Sequence, residues 1–557
     1  MLVASKRRLA WAPTPQEAAR LMSRYGDAFQ AGYISTVSAA DAADDIAVLE
    51  SLDDDTPWRP RLLLGDPARV KLYISGEPDA LSNVLPTLEH FGLSVATQRP
   101  YRLAGDARHL WIQEFECRGV PDDSDEQAAR RFEAVMEVVR SGLHENDHLN
   151  SLVFSAGLDW RRIGLVRAWL RYLVQTGMPY SPSYMAEIMS SHGELMAKIV
   201  ALFERRFDPQ SAAPEQNDAD EQAVLSALDA VDSLDADRLL RACLDVVRAC
   251  LRTNYYQCGE DGQPKPWIVF KLDPSRIAEL PKPLPKIETF VYAPDVEGVH
   301  LRGGMVARGG LRWSDRREDF RTEVLGLMKA QMVKNAVIVP VGAKGGFVVK
   351  KRVAPHDRDA YQQAGIAAYK TFIRGLLDIT DNRVGNDIVK PEHVVCYDDD
   401  DPYLVVAADK GTASFSDIAN GISEDYGFWL GDAFASGGKA GYDHKKMGIT
   451  ARGAWEAVKR HFREMDRDIQ TQPFTVAGVG DMSGDVFGNG MLLSPCIRLV
   501  AAFDHRDIFI DPDPNPATSF EERKRLFDMG RSSWQDYNLS YLSKGGGVFS
   551  RNQKLIK

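Results

Sequence analysis

The stretch NAVIVPVGAKGG, residues 335–346, decides how the second half of this chain is interpreted. Its first seven residues are mostly apolar and predict a buried strand, and the glycines around Lys344 predict a turn directly after it. Lysine normally lies at the surface, and glycine marks a backbone that bends or lets a neighbour approach. We therefore expect Lys344 to face a substrate and other segments to converge on it.

The segment before this stretch, ARGGLRWSDRREDFRTEVLGLMKAQMVK (307–334), adds cations and a glycine pair. It predicts a helix over about 321–334. Three cations would then bracket the predicted strand at one end, and such a group suits a substrate with two carboxylates, because charge-assisted hydrogen bonds are strong in a dry site. The residues assigned to substrate binding are Lys334, Arg308, Gly309 and Gly310.

An acidic residue follows a second predicted strand, YLVVAAD (403–409). Side chains just past the carboxyl end of a strand are where α/β proteins place active residues, which favours Asp409. The alternative is that Asp409 caps the next helix, but Ser414 and Ser416 lie nearer to that helix and are better placed as caps.

A glycine-rich turn lies in FTVAGVGDMSGDVFGNGMLLSPCIRLVAAFD (474–504). Gly478, Gly480 and Gly484 have the spacing G-x-G-x-x-x-G between a predicted strand and a helix predicted from Ser483 to Leu493. This strand, glycine turn and helix are typical of a dinucleotide site, where the helix N-terminus receives a pyrophosphate. The extra residue before the third glycine departs from the commonest fingerprint.

A second strand in this segment ends at Asp504, which could accept a hydrogen bond from an adenosine ribose and so favours NAD over NADP. The neighbouring His505 and Arg506 leave room for a 2′-phosphate. Upstream, Thr450 opens a predicted helix with Arg452 in its first turn.

The succession of helix and strand patterns along the chain predicts an α/β multidomain fold. A ferredoxin-like β-α-β-β-α module of ACT type precedes a helical segment, an α/β catalytic domain and an incomplete Rossmann-type dinucleotide-binding domain. The module either binds amino acids or is a structural spacer. The predicted boundaries are 1–60 (helical lead-in), 61–143 (module), 144–255 (helical domain), 256–436 (catalytic, substrate domain) and 437–557 (partial NAD-binding domain).

The composition of the chain disfavours several classes of binding partner. The 557 residues have a formal net charge of −11, which argues against nucleic acid or an anionic membrane as the main partner. No run of eighteen apolar residues predicts a transmembrane helix. The six cysteines form no CxxC and no Cys/His cluster with metal-ligand spacing, so we expect a cytoplasmic protein with reduced thiols and no metal site. GAKGG lacks the spacing of a nucleotide phosphate loop.

Four motifs together resemble the large NAD-specific glutamate dehydrogenases of bacteria: GGLRW…VKNAVIVPVGAKGG, AADKGTASFSDIAN, GYDHKKMGITARGAWE and GVGDMSGDVFGNGMLLS. The resemblance extends over most of the chain. It implies that Lys344 is the catalytic lysine, Asp409 the catalytic aspartate and Lys334 the ligand of the substrate α-carboxylate. Arg308 stands where shorter members have a lysine for the distal carboxylate.

The resemblance also implies that Thr450 and Arg452 contact nicotinamide or its neighbours. The implied reaction is oxidative deamination of L-glutamate to 2-oxoglutarate and ammonium, with hydride transfer to NAD and no metal. The full-length enzyme would be a homo-oligomer. Because the cofactor domain has only about three predicted strands, we expect this chain to be an internal or truncated part of a larger enzyme.

Two alternatives stay open at this point. One is another amino-acid dehydrogenase, although the cationic Arg308 favours an acidic substrate side chain. The other is a catalytically incomplete regulatory or assembly fragment that senses amino acids through the ACT-like module.

Overall fold

The structure is a computed structural model, and the chain in it divides into two compact units, Met1–Ala435 and Ser436–Lys557. It describes residues 14–105, 108–210, 214–334, 341–351, 353–354, 357–409, 411–412, 414–439 and 444–552. The five segment boundaries expected from the sequence stay predictions, because the structure divides the chain into these two units and no further. In the described residues no helix is both long and apolar enough to cross a bilayer.

The first unit begins with three helices that cover a small antiparallel sheet. The helices are α1 (Pro15–Tyr25), α2 (Ala31–Thr36) and α3 (Ala39–Glu50). The strands are β1 (Trp58–Leu63), β2 (Ala68–Ser75), β3 (Ser94–Arg102) and β4 (Leu110–Arg118), in the order β1-β2-β4-β3. Two further helices belong to this sheet, α4 (Leu81–His90) and α5 (Glu126–Arg140).

The predicted β-α-β-β-α order is present as β2-α4-β3-β4-α5. Strand β1 comes before it and was not predicted. It forms an antiparallel pair with β2, and Pro60 lies on this edge strand, where a missing backbone N–H costs no ladder bond.

Six helices follow the sheet in the first unit: α6 (Leu152–Ser155), α7 (Trp160–Gln175), α8 (Pro182–Ser191), α9 (Gly193–Phe207), α10 (Pro214–Leu228) and α11 (Leu234–Ala249). Helix α7 begins at the cap residue Asp159, and α8 begins with a proline behind the cap residue Ser181. One continuous apolar core joins these helices to the small sheet and to the next, larger sheet. Helix α7 is buried along most of its length, so it is an internal support.

The larger sheet has seven strands in the order β13-β9-β10-β8-β7-β6-β5. They are β5 (Cys250–Thr253), β6 (Ile268–Leu272), β7 (Ile287–Tyr292), β8 (Val296–Arg302), β9 (Ala307–Trp313), β10 (Val341–Val349) and β13 (Val405–Ala408). Strands β9, β10 and β13 run parallel to one another, and the others pair antiparallel. A separate hairpin is formed by β11 (Asn382–Val384) and β12 (Asp387–Val389).

Three helices accompany this sheet: α12 (Phe320–Lys334), α13 (Arg358–Asp378) and α14 (Ser416–Asp425). Helix α12 connects the parallel neighbours β9 and β10, as a crossover must. It agrees with the helix predicted over about 321–334. Phe347 packs with Phe372 of α13 and contributes to a second apolar core.

The predicted turn around Lys344 is wrong, because GAKGG lies within strand β10. Residues 335–340, most of the predicted strand NAVIVPV, lie outside the described residues. Glycines favour turns by propensity, but Gly345 and Gly346 are needed here for close packing. A Cβ at Gly345 would lie 2.3 Å from a Leu311 methyl carbon, and one at Gly346 would lie 2.6 Å from Val324.

The second unit contains a four-stranded sheet in the order β14-β15-β16-β17. Its elements are α15 (His444–Met447), α16 (Ile449–Arg463), β14 (Phe474–Val479), α17 (Asp485–Gly490), β15 (Ile497–Phe503), β16 (Asp507–Ile510), α18 (Pro516–Asp528) and β17 (Gly547–Ser550). The β14–β15 pair is parallel, and β16 and β17 run antiparallel to their neighbours.

Two expectations for this unit need correction. The sheet has four described strands instead of about three, and the short link between β15 and β16 makes them antiparallel because a parallel pair needs a long crossover. The helix predicted from Ser483 to Leu493 spans only Asp485–Gly490. Its glycines lower helix propensity, and the chain turns after residue 490.

Candidate active site

Lys344 and Asp409, the two predicted catalytic residues, meet across the parallel strands. Lys344 lies on β10 and is only 6% exposed, and Asp409 directly follows β13. The Lys344 Nζ atom lies 2.5 Å from Asp409 Oδ2. A buried amine in contact with a carboxylate is an arrangement that can transfer protons to and from a bound reactant.

Strand β9 runs between β10 and β13, and its glycine pair makes the contact across it feasible. A Cβ at Gly310 would lie 2.9 Å from the Ala408 carbonyl oxygen and 3.3 Å from Lys344 Nζ. At Gly309 a Cβ would lie 1.5 Å from the Ala343 carbonyl oxygen, where no atom fits. Both glycines therefore act through close backbone approach, and Gly310 also leaves the space over which the lysine reaches.

Arg312, which the sequence interpretation missed, is the second cation on Asp409. Its Nε donates to Asp409 Oδ2 at 3.0 Å, and its Nη1 donates to Glu323 Oε1 of α12 at 2.8 Å. Ser314 Oγ donates to the other Glu323 oxygen at 2.6 Å. Arg312 stands two residues after Gly310 on β9, so the two-residue period of a strand was the signal that could have placed it on the Lys344 side.

Hydrogen bonds within this cluster favour the charged forms of Arg312 and Glu323. The hydrogen bond to Asp409 raises the pKa of Arg312. Burial tends to raise the pKa of Glu323, but hydrogen bonds from Ser314 and Arg312 outweigh it and hold that pKa below its usual range. Arg312 is therefore held between the carboxyl groups of Glu323 and Asp409.

Thr412 is a second residue that the sequence interpretation missed. It is 1% exposed, and its Oγ1 accepts from the Asp409 backbone N–H at 3.0 Å and donates to the Leu311 carbonyl at 2.6 Å. One hydroxyl thus joins the end of β13 to β9. Gly411, in the same turn, has a φ of +83° and lies against Trp313. The backbone that presents Asp409 is fixed from two sides.

Of the two cations predicted to bind substrate, the structure describes the side chain of one. Arg308 lies on β9 two residues before Gly310, and its side chain is exposed. Lys334 is the last residue of α12, and its side chain lies outside the described residues. The structure therefore places Arg308 on the strand between Lys344 and Asp409, while the substrate-binding roles of Arg308 and Lys334 stay predictions.

The side chain of Phe487 packs against the glycine turn of the second unit. A Cβ at Gly478 would lie 2.7 Å from the Phe487 ring, and Gly480, with a φ of +138°, is equally close to Phe487. Ser483 donates from its backbone N–H and its hydroxyl to Asp481, at 2.8 and 2.5 Å. Gly484 precedes α17. These glycines serve close strand–helix packing, which is one of their roles in dinucleotide-binding turns.

Asp504 lies at the end of β15, as predicted. Its Oδ1 accepts from the backbone N–H groups of Arg506 and Asp507, both at 2.7 Å. Burial opposes ionisation, but these two bonds lower the pKa of Asp504. No N–H or alcohol group within the described residues donates to its buried Oδ2. Thr450 and Arg452 are exposed in the first turn of α16.

Comparison with known families identifies the chain. The model for the catalytic domain of bacterial NAD-glutamate dehydrogenase matches residues 223–557. Three further glutamate dehydrogenase models match upstream: helical motif 3 over 144–209, the ACT3 domain over 59–129 and helical motif 2 over 15–52. The matched domains thus succeed one another along most of the chain.

Individual relatives agree. NAD-specific glutamate dehydrogenases are 53% identical over 546 residues in Halomonas elongata, 51% over 550 in Pseudomonas aeruginosa and 51% over 556 in Mycobacterium tuberculosis. Each comparison covers 96% of this chain and 34% of the relative, so the chain spans about a third of the length of the curated relatives it matches.

Among solved structures, a hetero-hexameric glutamate dehydrogenase from Thermus thermophilus is 17% identical, with a TM-score of 0.30 over 50% of this chain and 58% of that one. So low a score carries no argument about the fold. The family assignment depends on the matched catalytic model, which covers more than half of the residues and includes Lys344, Asp409 and the glycine turn. This chain belongs to the bacterial NAD-glutamate dehydrogenase family.

Proposed function

We propose that this chain provides the substrate site for oxidative deamination of L-glutamate to 2-oxoglutarate and ammonium, with NAD as hydride acceptor. The observation that carries the proposal is the buried contact of 2.5 Å between Lys344 Nζ and Asp409 Oδ2. Membership of a family whose relatives are named NAD-specific glutamate dehydrogenase supports the substrate and the cofactor.

The two residues would divide the proton transfers. NAD, when bound, would accept the hydride that leaves the substrate Cα. Lys344 would hold and activate the water that attacks the oxidised carbon, and Asp409 would carry the proton to the departing amine. Arg312 and Thr412 would keep the Asp409 carboxylate in one orientation, so little reorganisation is needed during turnover.

Arg308 and Lys334 would hold the two substrate carboxylates, with Gly309 and Gly310 allowing the substrate to approach β9 closely. An exposed arginine near the pair favours an acidic side chain over the apolar side chains of leucine or phenylalanine. The assembly of the full-length protein as a homo-oligomer stays a prediction from the resemblance, and its cytoplasmic location stays a prediction from the cysteine pattern.

For NAD we infer an incomplete Rossmann-type site in the second unit. Asp504 fits a ribose, because it lies at the end of β15 and its buried Oδ2 accepts no hydrogen bond from an N–H or alcohol group of the described residues. Gly478, Gly480, Ser483 and Gly484 would border the pyrophosphate. Helix α17 is too short to contribute much dipole, so the backbone N–H groups of the turn would have to do more of the binding. Thr450 and Arg452 would lie toward the nicotinamide.

The test is NADH formation by the full-length protein with L-glutamate and, separately, with L-leucine. Lys344→Ala should lower kcat by about 10²–10⁴-fold while NADH binding is kept. Lys286→Ala, which removes an exposed lysine remote in sequence from the site, is the matched control and should keep the rate. Full turnover of Lys344→Ala would contradict the mechanism. Equal rates with leucine would contradict the substrate, and no turnover with any amino acid would favour a regulatory or assembly role.

A further inference from the structure

A side chain from the helical segment reaches the start of α12. Gln175 is the last residue of α7 and is 3% exposed. Its Nε2 donates to the carbonyl oxygens of Arg317 at 3.0 Å and Glu318 at 3.3 Å, and its Oε1 accepts from the Arg321 backbone N–H at 3.3 Å. Gln175 therefore bonds both to the loop that enters α12 and to its first turn.

One of these bonds supplies an acceptor for a backbone N–H group that has none within the helix. The first N–H groups of an α-helix have no acceptor within the helix, and Arg321 is the second residue of α12. The Arg321 side chain is fixed as well, by two bonds of 2.6 Å to Glu288 of β7, and both residues are fully buried. The first turn of α12 is thus held by side chains from α7 and β7.

The same turn presents Glu323 to the candidate active site. Glu323 holds Arg312 at 2.8 Å, Arg312 holds Asp409 at 3.0 Å, and Asp409 contacts Lys344 at 2.5 Å. Every link from Gln175 to Lys344 is a hydrogen bond, an ion pair or the short backbone step within one helical turn.

We propose that Gln175 is a positioning residue of the candidate active site, because it holds the turn from which Glu323 clamps Arg312 against Asp409. The helical segment is then part of the scaffold of the site. The inference builds on the proposed function, and it names a residue that touches neither the proposed substrate nor the cofactor.

The first test is amide hydrogen exchange of the full-length protein over residues 320–324. Gln175→Met keeps the length of the side chain and removes its hydrogen bonds, and we expect protection in this turn to fall about tenfold. Gln175→Asn, which keeps an amide one methylene too short, should give the same result if Gln175→Met folds poorly. Arg162→Gln is the control on the same helix, since Arg162 pairs with Glu204. Unchanged exchange in the Gln175 variants would overturn the proposal.

The second test is a double-mutant cycle on turnover. We expect Gln175→Met to lower kcat about fivefold and Arg312→Lys about tenfold. If Gln175 acts through Glu323 and Arg312, the double variant should be no slower than Arg312→Lys alone. Losses that multiply to about fiftyfold would show a merely structural effect and overturn the proposal. A wild type that is inactive with every amino acid refutes the proposed function, and the exchange measurement then decides the role of Gln175 by itself.

Discussion

At the scale of single residues, the site depends on one missing side chain. Lys344 and Asp409 come from strands that are separated by β9, and the lysine reaches the carboxylate over Gly310. Any Cβ at that position would stand within 3.3 Å of both the Lys344 amine and the Asp409 Cβ. The two glycines of the pair have different neighbours, so their substitutions should have different effects.

We expect Gly310→Ala to fold with a small loss of stability, since its Cβ would lie 2.9 Å from the Ala408 carbonyl oxygen, and to lose activity. The added methyl group separates Lys344 from Asp409, and a displacement of about 1 Å in a catalytic pair costs roughly a hundredfold in rate. Thermal melting and NADH formation with L-glutamate would measure the two effects separately. A variant that keeps more than half of the wild-type rate would contradict this account of Gly310.

Gly309→Ala is the contrasting variant. Its Cβ would overlap the Ala343 carbonyl oxygen, so β9 could not pair with β10 in the present register. Overpacking usually costs about 1–3 kcal/mol, and a clash with backbone should reach or exceed the top of that range. We therefore expect a clear fall in melting temperature or an insoluble protein, and a normal melting temperature would contradict the close approach.

Thr412 gives a second residue-scale prediction. Thr412→Val keeps the shape but removes the hydroxyl that joins the Asp409 N–H to the Leu311 carbonyl, and it leaves both buried groups without that partner. We expect kcat to fall about tenfold, whereas Thr412→Ser should stay within about twofold of the wild type. Steady-state rates of the two variants, measured side by side, check this, and equal rates would exclude the hydroxyl from positioning Asp409.

At the scale of elements, the segment that leads into β13 is anchored by buried charges. Asp401 pairs with Arg302 of β8 and with Lys271 of β6 at 2.6 Å, and Arg302 also donates to the Tyr403 carbonyl at 3.1 Å. Burial opposes ionisation of Asp401, but Arg302 and Lys271 lower its pKa to about 2. The strand that ends at Asp409 therefore starts from a fixed point.

Asp401→Asn should be strongly destabilising, because it removes the carboxylate bound by buried Arg302 and leaves buried Lys271 with Asp398 as its counter-charge. Removing one partner of a buried ion pair costs about 3–5 kcal/mol. The matched control is Arg238→Gln, which breaks the more exposed pair with Glu279 and should cost less than about 1 kcal/mol. Urea unfolding of both variants measures the difference, and similar midpoints would contradict the anchoring role of Asp401.

At the scale of the whole molecule, two histidines couple the first unit to pH: His300 is buried, and His144 is half-buried. Burial, followed by the charge of Arg302, lowers the pKa of His300 to about 3, and burial with Arg167 lowers that of His144 to about 3. In the unfolded chain a histidine titrates near 6.5. The folded histidines stay neutral where unfolded ones take up a proton, so protons favour unfolding below about pH 6.5.

We therefore expect stability to be flat above pH 6.5 and to fall toward pH 3. The linkage slope is roughly 1.4 kcal/mol per pH unit for each of the two histidines. Melting temperatures between pH 7.5 and pH 4.5 would show the trend, and the variant His144→Gln/His300→Gln should have a smaller slope. The slope is the measure, because each substitution also changes packing at every pH. An unchanged slope would assign the acid sensitivity to other groups.

Sequence patterns were sufficient to predict the family, helix α12, the β-α-β-β-α succession of elements around the small sheet and the two residues that meet at the site. Lys344 and Asp409 could be selected because residue type and strand ends are local features. Whether the glycines around Lys344 form a turn or a strand depends on tertiary packing. Gly345 and Gly346 lie in a strand because neighbouring backbones and side chains occupy the space of their missing Cβ atoms, and no local propensity contains that information.

The same reason explains the residues that were missed. Arg312, Thr412 and Gln175 act through partners that lie far away in the chain, and Glu323 meets Arg312 only after helix α12 packs on the sheet. Residue types and their spacing therefore indicated which groups carry the chemistry. Only the folded chain, through pairing and burial, determined which other side chains hold those groups in place.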